Sequence, residues 1–265
     1  MLVALVAIQD NSWLRAQSQP LSSTNGAASA AQFVPVEGPD ARIWGVELKR
    51  QFTDRSTPEA SSRTTLRLEV APYEYLSLIR LDIPFVDREN GAPFTGQLGD
   101  IKNKLVSRSL SLDDVRLNGV FETTFPSARP ESLGRGKYQL GPGFELVFAL
   151  LSPASDEAPP WTVSLKPWLE QNFSVAGNPA FNDINYTKLE LELKAEWKKQ
   201  LTLKLTPKPV YDWKQSDSGA VMELESDWNF TRRWCLELVL GHRLWGTGVP
   251  ATYRSKIEMS LRFNF

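Results

Sequence analysis

The chain has 265 residues, 42% hydrophobic and 23% charged, with 30 basic against 31 acidic side chains and a formal net charge of −1. That balance excludes a nucleic-acid partner, because a phosphate-binding surface needs an excess of Lys and Arg. One cysteine, Cys235, permits no internal disulfide, and one histidine, His242, is too little for a zinc site of ordinary ligands, so no metal or cofactor is expected.

Residues 1–16, MLVALVAIQDNSWLRA, carry an apolar run from Leu2 to Ile8 and a small residue, Ala16, suited to signal-peptidase cleavage. The positive n-region of a secretory signal is missing, so the stretch reads as a partial signal peptide, with a plain disordered tail as the alternative. Residues 17–40 are rich in Ser, Ala, Gly and Pro and read as a flexible N-terminal segment. No run of about 20 apolar residues exists for a membrane helix.

From residue 41 to 265 the pattern has period two, and the spacing predicts twelve strands: 42–52, 62–73, 75–86, 97–109, 114–126, 138–151, 160–174, 185–197, 201–213, 219–230, 233–245 and 253–265. Pro142 and Pro167 fall inside two of them and predict bulges there or shifted boundaries, since a proline removes a ladder N–H. In the eighth strand Leu189, Leu191, Leu193, Ala195 and Trp197 oppose Lys188, Glu190, Glu192, Lys194 and Glu196. In the ninth, Leu201, Leu203 and Leu205 oppose Thr202, Lys204 and Thr206, with Lys208 further along. Met222, Leu224 and Trp228 then oppose Glu223, Glu225 and Asp227, and Trp234, Leu236, Leu238 and Leu240 oppose Cys235, Glu237, Gly241 and Arg243. In the last strand Tyr253, Ile257, Met259, Leu261, Phe263 and Phe265 share one face, and Arg254, Lys256, Glu258 and Arg262 the other.

A soluble sandwich gives the same alternation, so the connections and the aromatics must decide which face meets protein. With both termini on one side, the connections 53–61, 87–96, 127–137, 175–184, 214–218 and 246–252 lie on the far side and are the longer set. Those on the near side, such as Lys198–Gln200 and Thr231–Arg233, are tight, with Ser152–Pro159 the exception. Long loops on one side and short turns on the other is the outer-membrane barrel pattern.

The apolar-face aromatics gather at strand ends. Trp161, Trp197, Trp228, Phe230, Trp234, Phe263 and Phe265 mark the short-turn end, and Phe85, Phe125, Tyr138, Phe173, Tyr211, Trp213 and Tyr253 the long-loop end, with mostly Leu, Val, Ile and Met between. Two such belts around an aliphatic band match a bilayer, because indole and phenol rings favour the headgroup level. The sequence therefore predicts an all-β, transmembrane, antiparallel up-and-down barrel of about twelve strands in a bacterial outer membrane, its apolar face on lipid and its charged face on the lumen. Closure requires the last strand to pair with the first, near Trp44 to Phe52.

Four stretches carry a family resemblance: LIRLDIPFV (78–86), GQLGDIKNKLVSR (96–108), TTFPSARPESLGRGKYQLGPGFELVF (123–148) and WTVSLKPWLEQNFSVAG (161–177). Through them residues 62–265 resemble bacterial outer-membrane proteins described as transporters and related to a barrel of the meta-cleavage pathway of phenol degradation. The resemblance implies passage of small, hydrophobic or aromatic solutes and no catalysis. The terminal Phe265 resembles the signature by which insertion machinery recognises such barrels. The half from Trp161 is also similar to outer-membrane phospholipase A, yet the stretch FETTFPSARPES has no histidine to activate a serine, so that enzyme's activity is not implied.

The lumen-facing charges are the candidate site: Lys188, Glu190, Glu192, Lys194, Lys204, Lys208, Glu223, Glu225, Asp227, Glu237, Arg243, Arg254, Lys256, Glu258 and Arg262. A three-residue turn at Lys198–Gln200 places Glu190 opposite Lys208. Mixed signs fit either an interior braced by ion pairs or a pore that contacts solutes, without the single-sign ring of a strongly selective channel. His242 lies on the lipid-facing parity near the long-loop rim and reads as an interfacial residue.

Overall fold

Alternation becomes strand along nearly the whole described chain. A computed structural model describes residues 32–33, 44–54, 61–71, 75–88, 96–112, 115–151 and 161–265. Two units divide the chain, 1–30 and 31–265, and every described residue belongs to the second. The signal-peptide expectation for 1–16, and that of a flexible segment at 17–40 apart from Gln32 and Phe33, lie outside the described residues.

Twelve strands build the wall: β1 (Trp44–Thr53), β2 (Ser61–Val70), β3 (Leu76–Arg88), β4 (Ile101–Ser107), β5 (Val115–Phe125), β6 (Lys137–Leu151), β7 (Trp161–Gly177), β8 (Asn185–Trp197), β9 (Leu201–Asp212), β10 (Asp217–Asn229), β11 (Trp234–Trp245) and β12 (Ser255–Asn264). Each pairs antiparallel with its neighbour in sequence, and β12 pairs with β1 from Lys256↔Thr53 to Asn264↔Gly45, so the sheet closes. Closure removes the free edges that would leave backbone N–H and C=O groups unpaired in hydrocarbon. Among the described residues no helix is long and apolar enough to cross a membrane.

Three short strands decorate this wall. Gln97–Leu98 pairs with Val86 and Phe85 of β3, and Leu110–Leu112 folds back on Leu117, Arg116 and Val115 of β5. Gln32–Phe33 joins that hairpin at Ser111 and Leu110. The sequence pattern ran 97–109 together; the structure breaks it at Gly99 and Asp100, because the Asp100 carboxylate accepts from the amides of Ala128 (3.3 Å) and Arg135 (2.6 Å) and ties the strand to the next long loop.

No bulge, one of the two outcomes expected there, forms at Pro142 or Pro167, and no boundary shift takes either proline out of its strand. Pro142 pairs with Phe121 and Pro167 with Leu191, and the register with each neighbour runs straight past both. Each proline forfeits one ladder bond, which a strand paired on both sides absorbs. The irregularities of β7 fall instead at Val163/Ser164 and Ser174/Ala176.

The outward face is apolar and uncovered. Leu48 is 56% exposed, Met259 54%, Leu224 49% and Leu238 40%, values that in water would leave a contiguous hydrophobic wall. Where a charge does face outward it is neutralised on the spot: Arg50 reaches Thr64, Ser62 (3.0 Å) and Asp87 (3.4 Å) on adjacent strands. A closed barrel of this kind keeps its form in detergent until heated. The unheated protein is expected to migrate differently from the boiled protein on a denaturing gel, and identical mobility would contradict closure.

Candidate functional site

Register turns the charged parity of each strand into layers inside the barrel. The predicted opposition of Glu190 and Lys208 is realised, with Lys208 Nζ 3.1 Å from Glu190 and 2.7 Å from Glu223 of β10. From there ion pairs continue strand to strand. Lys256 lies 2.9 Å from Glu223 and 3.5 Å from Glu258. Lys49 lies 3.0 Å from Glu258 and 3.4 Å from Glu47, and Arg67 joins Glu47 (3.2 Å) to Asp82 (2.7 Å). Arg80 then links Asp82 (3.6 Å) to Glu122 (3.5 Å), which Lys104 also meets at 3.4 Å.

One aromatic side chain completes the circuit. The Trp168 ring has Lys104 Nζ 3.5 Å and Lys188 Nζ 4.3 Å from its centroid, and Lys188 returns to Glu190 at 2.9 Å. The result is a ring of alternating charges around the interior, closed by two cation–π contacts to one indole. Trp168 was absent from the predicted site, although it shares a face with Lys166 and Glu170, and a lone indole on a charged parity is the signal that marks it. Gly143 of β6 makes room beside it, and Gly141 beside Glu170. A Cβ on Gly141 would stand 2.5 Å from Glu170 Oε1, and one on Gly143 2.5 Å from the Leu169 carbonyl and 3.2 Å from Trp168 Nε1.

Nearer the short turns the remaining predicted charges form a second layer. Lys204 pairs with Glu225 and with Asp227 (2.9 Å), Lys166 with Glu192 (3.4 Å), and Lys194 with Glu196 (2.7 Å). Glu237 binds Lys49 (2.8 Å) and Arg262 (3.5 Å), and Arg262 also reaches Glu47 (3.5 Å). Carboxylate oxygens of Glu225, Asp227 and Glu237 gather within 4.8 Å, but the Lys204 ammonium already supplies the positive charge there.

The outer end corrects one expectation. Arg243 and Arg254 keep the inward parity, joined by a backbone hydrogen bond (3.1 Å), and Arg243 also hydrogen-bonds Thr247 (3.2 Å). Tyr253, assigned to the outer aromatic belt, turns inward over Gly241 and its hydroxyl donates to Glu223. The chain leaves the sheet before Ser255, so alternation no longer dictates where Tyr253 points. Burial first, and then the Glu223 carboxylate, push its phenol well above the ordinary range, which keeps it a donor. A register shift between Ala220 and Val221 meanwhile turns Trp245 out, 51% exposed, so Trp245 takes the belt position that Tyr253 vacates.

The other aromatics assigned to the belts pair up at the strand ends. Trp161 stacks near Trp197, Trp228 near Phe230, and Trp234 against Phe263, which touches Phe265, at the short-turn end. Tyr211 packs edge-on against Trp213 at the long-loop end, where Trp213 donates to Thr187. At that same end Val249, from the loop 246–254, packs inward against Tyr186 and Val210, narrowing the mouth. Beside it a cleft of about 700 Å³ opens, lined by Arg135, Phe181, Asp183, Asp212, Lys214 and Pro250 among others. A hydrogen bond from Lys137 at its rim holds the Asp183 carboxyl below the usual carboxylate range.

No protein-family model and no curated protein sequence matches the chain. Solved structures do. An outer-membrane channel from Pseudomonas putida F1 is similar at a TM-score of 0.58 and 13% identity, over 87% of this chain and 100% of that one. The NanC porin is similar at 0.54 and 9% identity, over 84% and 98%. At such identities the likeness concerns the fold, a closed β-barrel resembling those of bacterial outer-membrane channels and porins.

Glu47 is 1% exposed and touches Lys49, Arg67, Arg262 and Ser260, so it is the anion on which the ring most depends. Glu47→Leu is expected to lower stability to urea in detergent micelles by about 3–5 kcal/mol, since it strands buried cations. Glu196→Gln, in a pair whose side chains are 26% exposed, is expected to cost less than about 1 kcal/mol. Equal losses in the two variants would contradict a buried ring.

Proposed function

We propose that the protein is a bacterial outer-membrane channel passing small solutes, in which the ring of ion pairs closed by Trp168 forms the constriction, and that it performs no catalysis. The observation that carries this reading is the continuous ionisable lining inside a closed wall with an apolar exterior, leading from the cleft at the long-loop mouth. Charges held in opposite-sign pairs leave little net field at the constriction, which favours selection by size over strong selection by charge at that level. The fold shared with an outer-membrane channel supports the reading, and the phenol-pathway resemblance adds small aromatic molecules to the candidate solutes. The exterior places the protein in contact with outer-membrane lipids, and delivery there is assigned to the barrel-insertion machinery.

A second reading, a shut barrel whose outer loops bind a partner, draws on the low exposure of Glu47 and Glu170, both 1%. Planar-bilayer recording separates the two. The channel reading predicts small unitary steps from the wild type and larger ones from Trp168→Ala, which removes the cation–π closure. Absence of steps from both proteins, each folded by gel mobility, would favour the shut barrel.

A further inference from the structure

Just outward of the ring, three cations without ion pairs come together in one sector. Arg63 of β2, Lys102 of β4 and Arg135 of the loop 126–136 are all exposed, whereas the ring anions Glu47, Glu223 and Glu258 are buried. Arg63 and Lys102 belong to the inward parity: Arg63 pairs with Gln51 and Val86, and Lys102 with Asp82 and Thr124. Both sit within two residues of the long-loop end of their strands. The loop amides held by Asp100 bring Arg135 over the same sector, where it borders the outer cleft.

None of the three has a side-chain hydrogen bond or ion pair among the described residues, although they lie close enough to repel one another. The carboxylates nearby are already engaged. Glu122, the carboxylate that acts most on Lys102, serves Arg80 and Lys104; Asp82 serves Arg67 and Arg80, Asp100 serves backbone amides, and Glu258 serves Lys49 and Lys256. Three unpartnered cations facing lumen water, inside a wall that excludes bulk solvent on the other side, make a concentrated positive potential.

We propose that Arg63, Lys102 and Arg135 form a binding site for small anionic solutes, carboxylates or phosphates, in the vestibule above the ring. The guanidinium groups offer paired donors matched to the planar carboxylate or to phosphate oxygens, and the Lys102 ammonium adds a flexible third contact. The solute would gather here and meet the constriction from the outer side. As a statement of solute class this rests on the channel reading, but binding itself does not require flux.

Titration calorimetry on the detergent-solubilised protein tests it, with succinate, inorganic phosphate and uncharged glucose as probes. Saturable binding of succinate or phosphate but not glucose is expected, and the stronger of the two identifies the favoured anion. Each single change, Arg63→Gln, Lys102→Gln or Arg135→Gln, should weaken binding by about tenfold, and the triple variant should abolish it. Arg135 lies on a loop, so its variant reports even where a strand variant folds poorly. No anion binding by the folded wild type, or undiminished binding by a folded triple variant, overturns the site. Bilayer recording distinguishes the two failures. Anion binding without conductance retains the site and removes the channel, while conductance without anion binding retains the channel and removes the site.

Discussion

The pairing of β12 with β1 is the contact on which the rest depends. A sheet with open edges in hydrocarbon leaves a row of unpaired amides and carbonyls, each costing several kcal/mol, so a spanning sheet either closes or does not form. The register from Lys256↔Thr53 to Asn264↔Gly45 satisfies that demand and also sets which charges meet inside. It brings Glu258 of one strand beside Lys49 of the other, the link through which the ion-pair ring passes from the end of the chain to its beginning.

Polarity follows from the same geometry. Strict alternation sends Leu and Ile out and Lys and Glu in, and burial of the inner set is tolerable because nearly every charge finds partners of opposite sign. The lumen is thus narrowed by ion pairs, with Glu47 and Glu170 buried and two ammonium groups over the Trp168 ring. The outer sector near Arg63, Lys102 and Arg135 departs from this pairing and gathers positive charge.

Much of this was legible in the sequence because period two leaves little freedom. The strands from Asn185 onward, the belts at Trp161, Trp197, Trp228 and Trp234, and the Glu190–Lys208 pair followed from alternation and one short turn. What alternation cannot express was missed. Tyr253 lies past the end of its strand, and Trp245 sits beside a register shift, so parity misplaced the first and gave no outward position to the second. Trp168 was hidden because its partner Lys104 stands three strands away around the wall, a neighbour that the pattern of a single strand does not reveal. The ring and the unpaired cations likewise depend on registers summed over many strands, which no single stretch encodes.

The central claim is that apolar side chains meet lipid and ionic ones meet the lumen, and collision accessibility of a spin label tests it most directly. With Cys235 replaced by serine, a nitroxide would be placed in turn at Leu238, 40% exposed, and at its neighbour Glu237, 5% exposed, in the protein reconstituted into vesicles. The account predicts that the label at 238 collides freely with oxygen dissolved in the bilayer and is shielded from a water-soluble nickel chelate, and that the label at 237 shows low oxygen accessibility. A label at 238 that is shielded from oxygen, beside one at 237 exposed to it, would turn the barrel inside out.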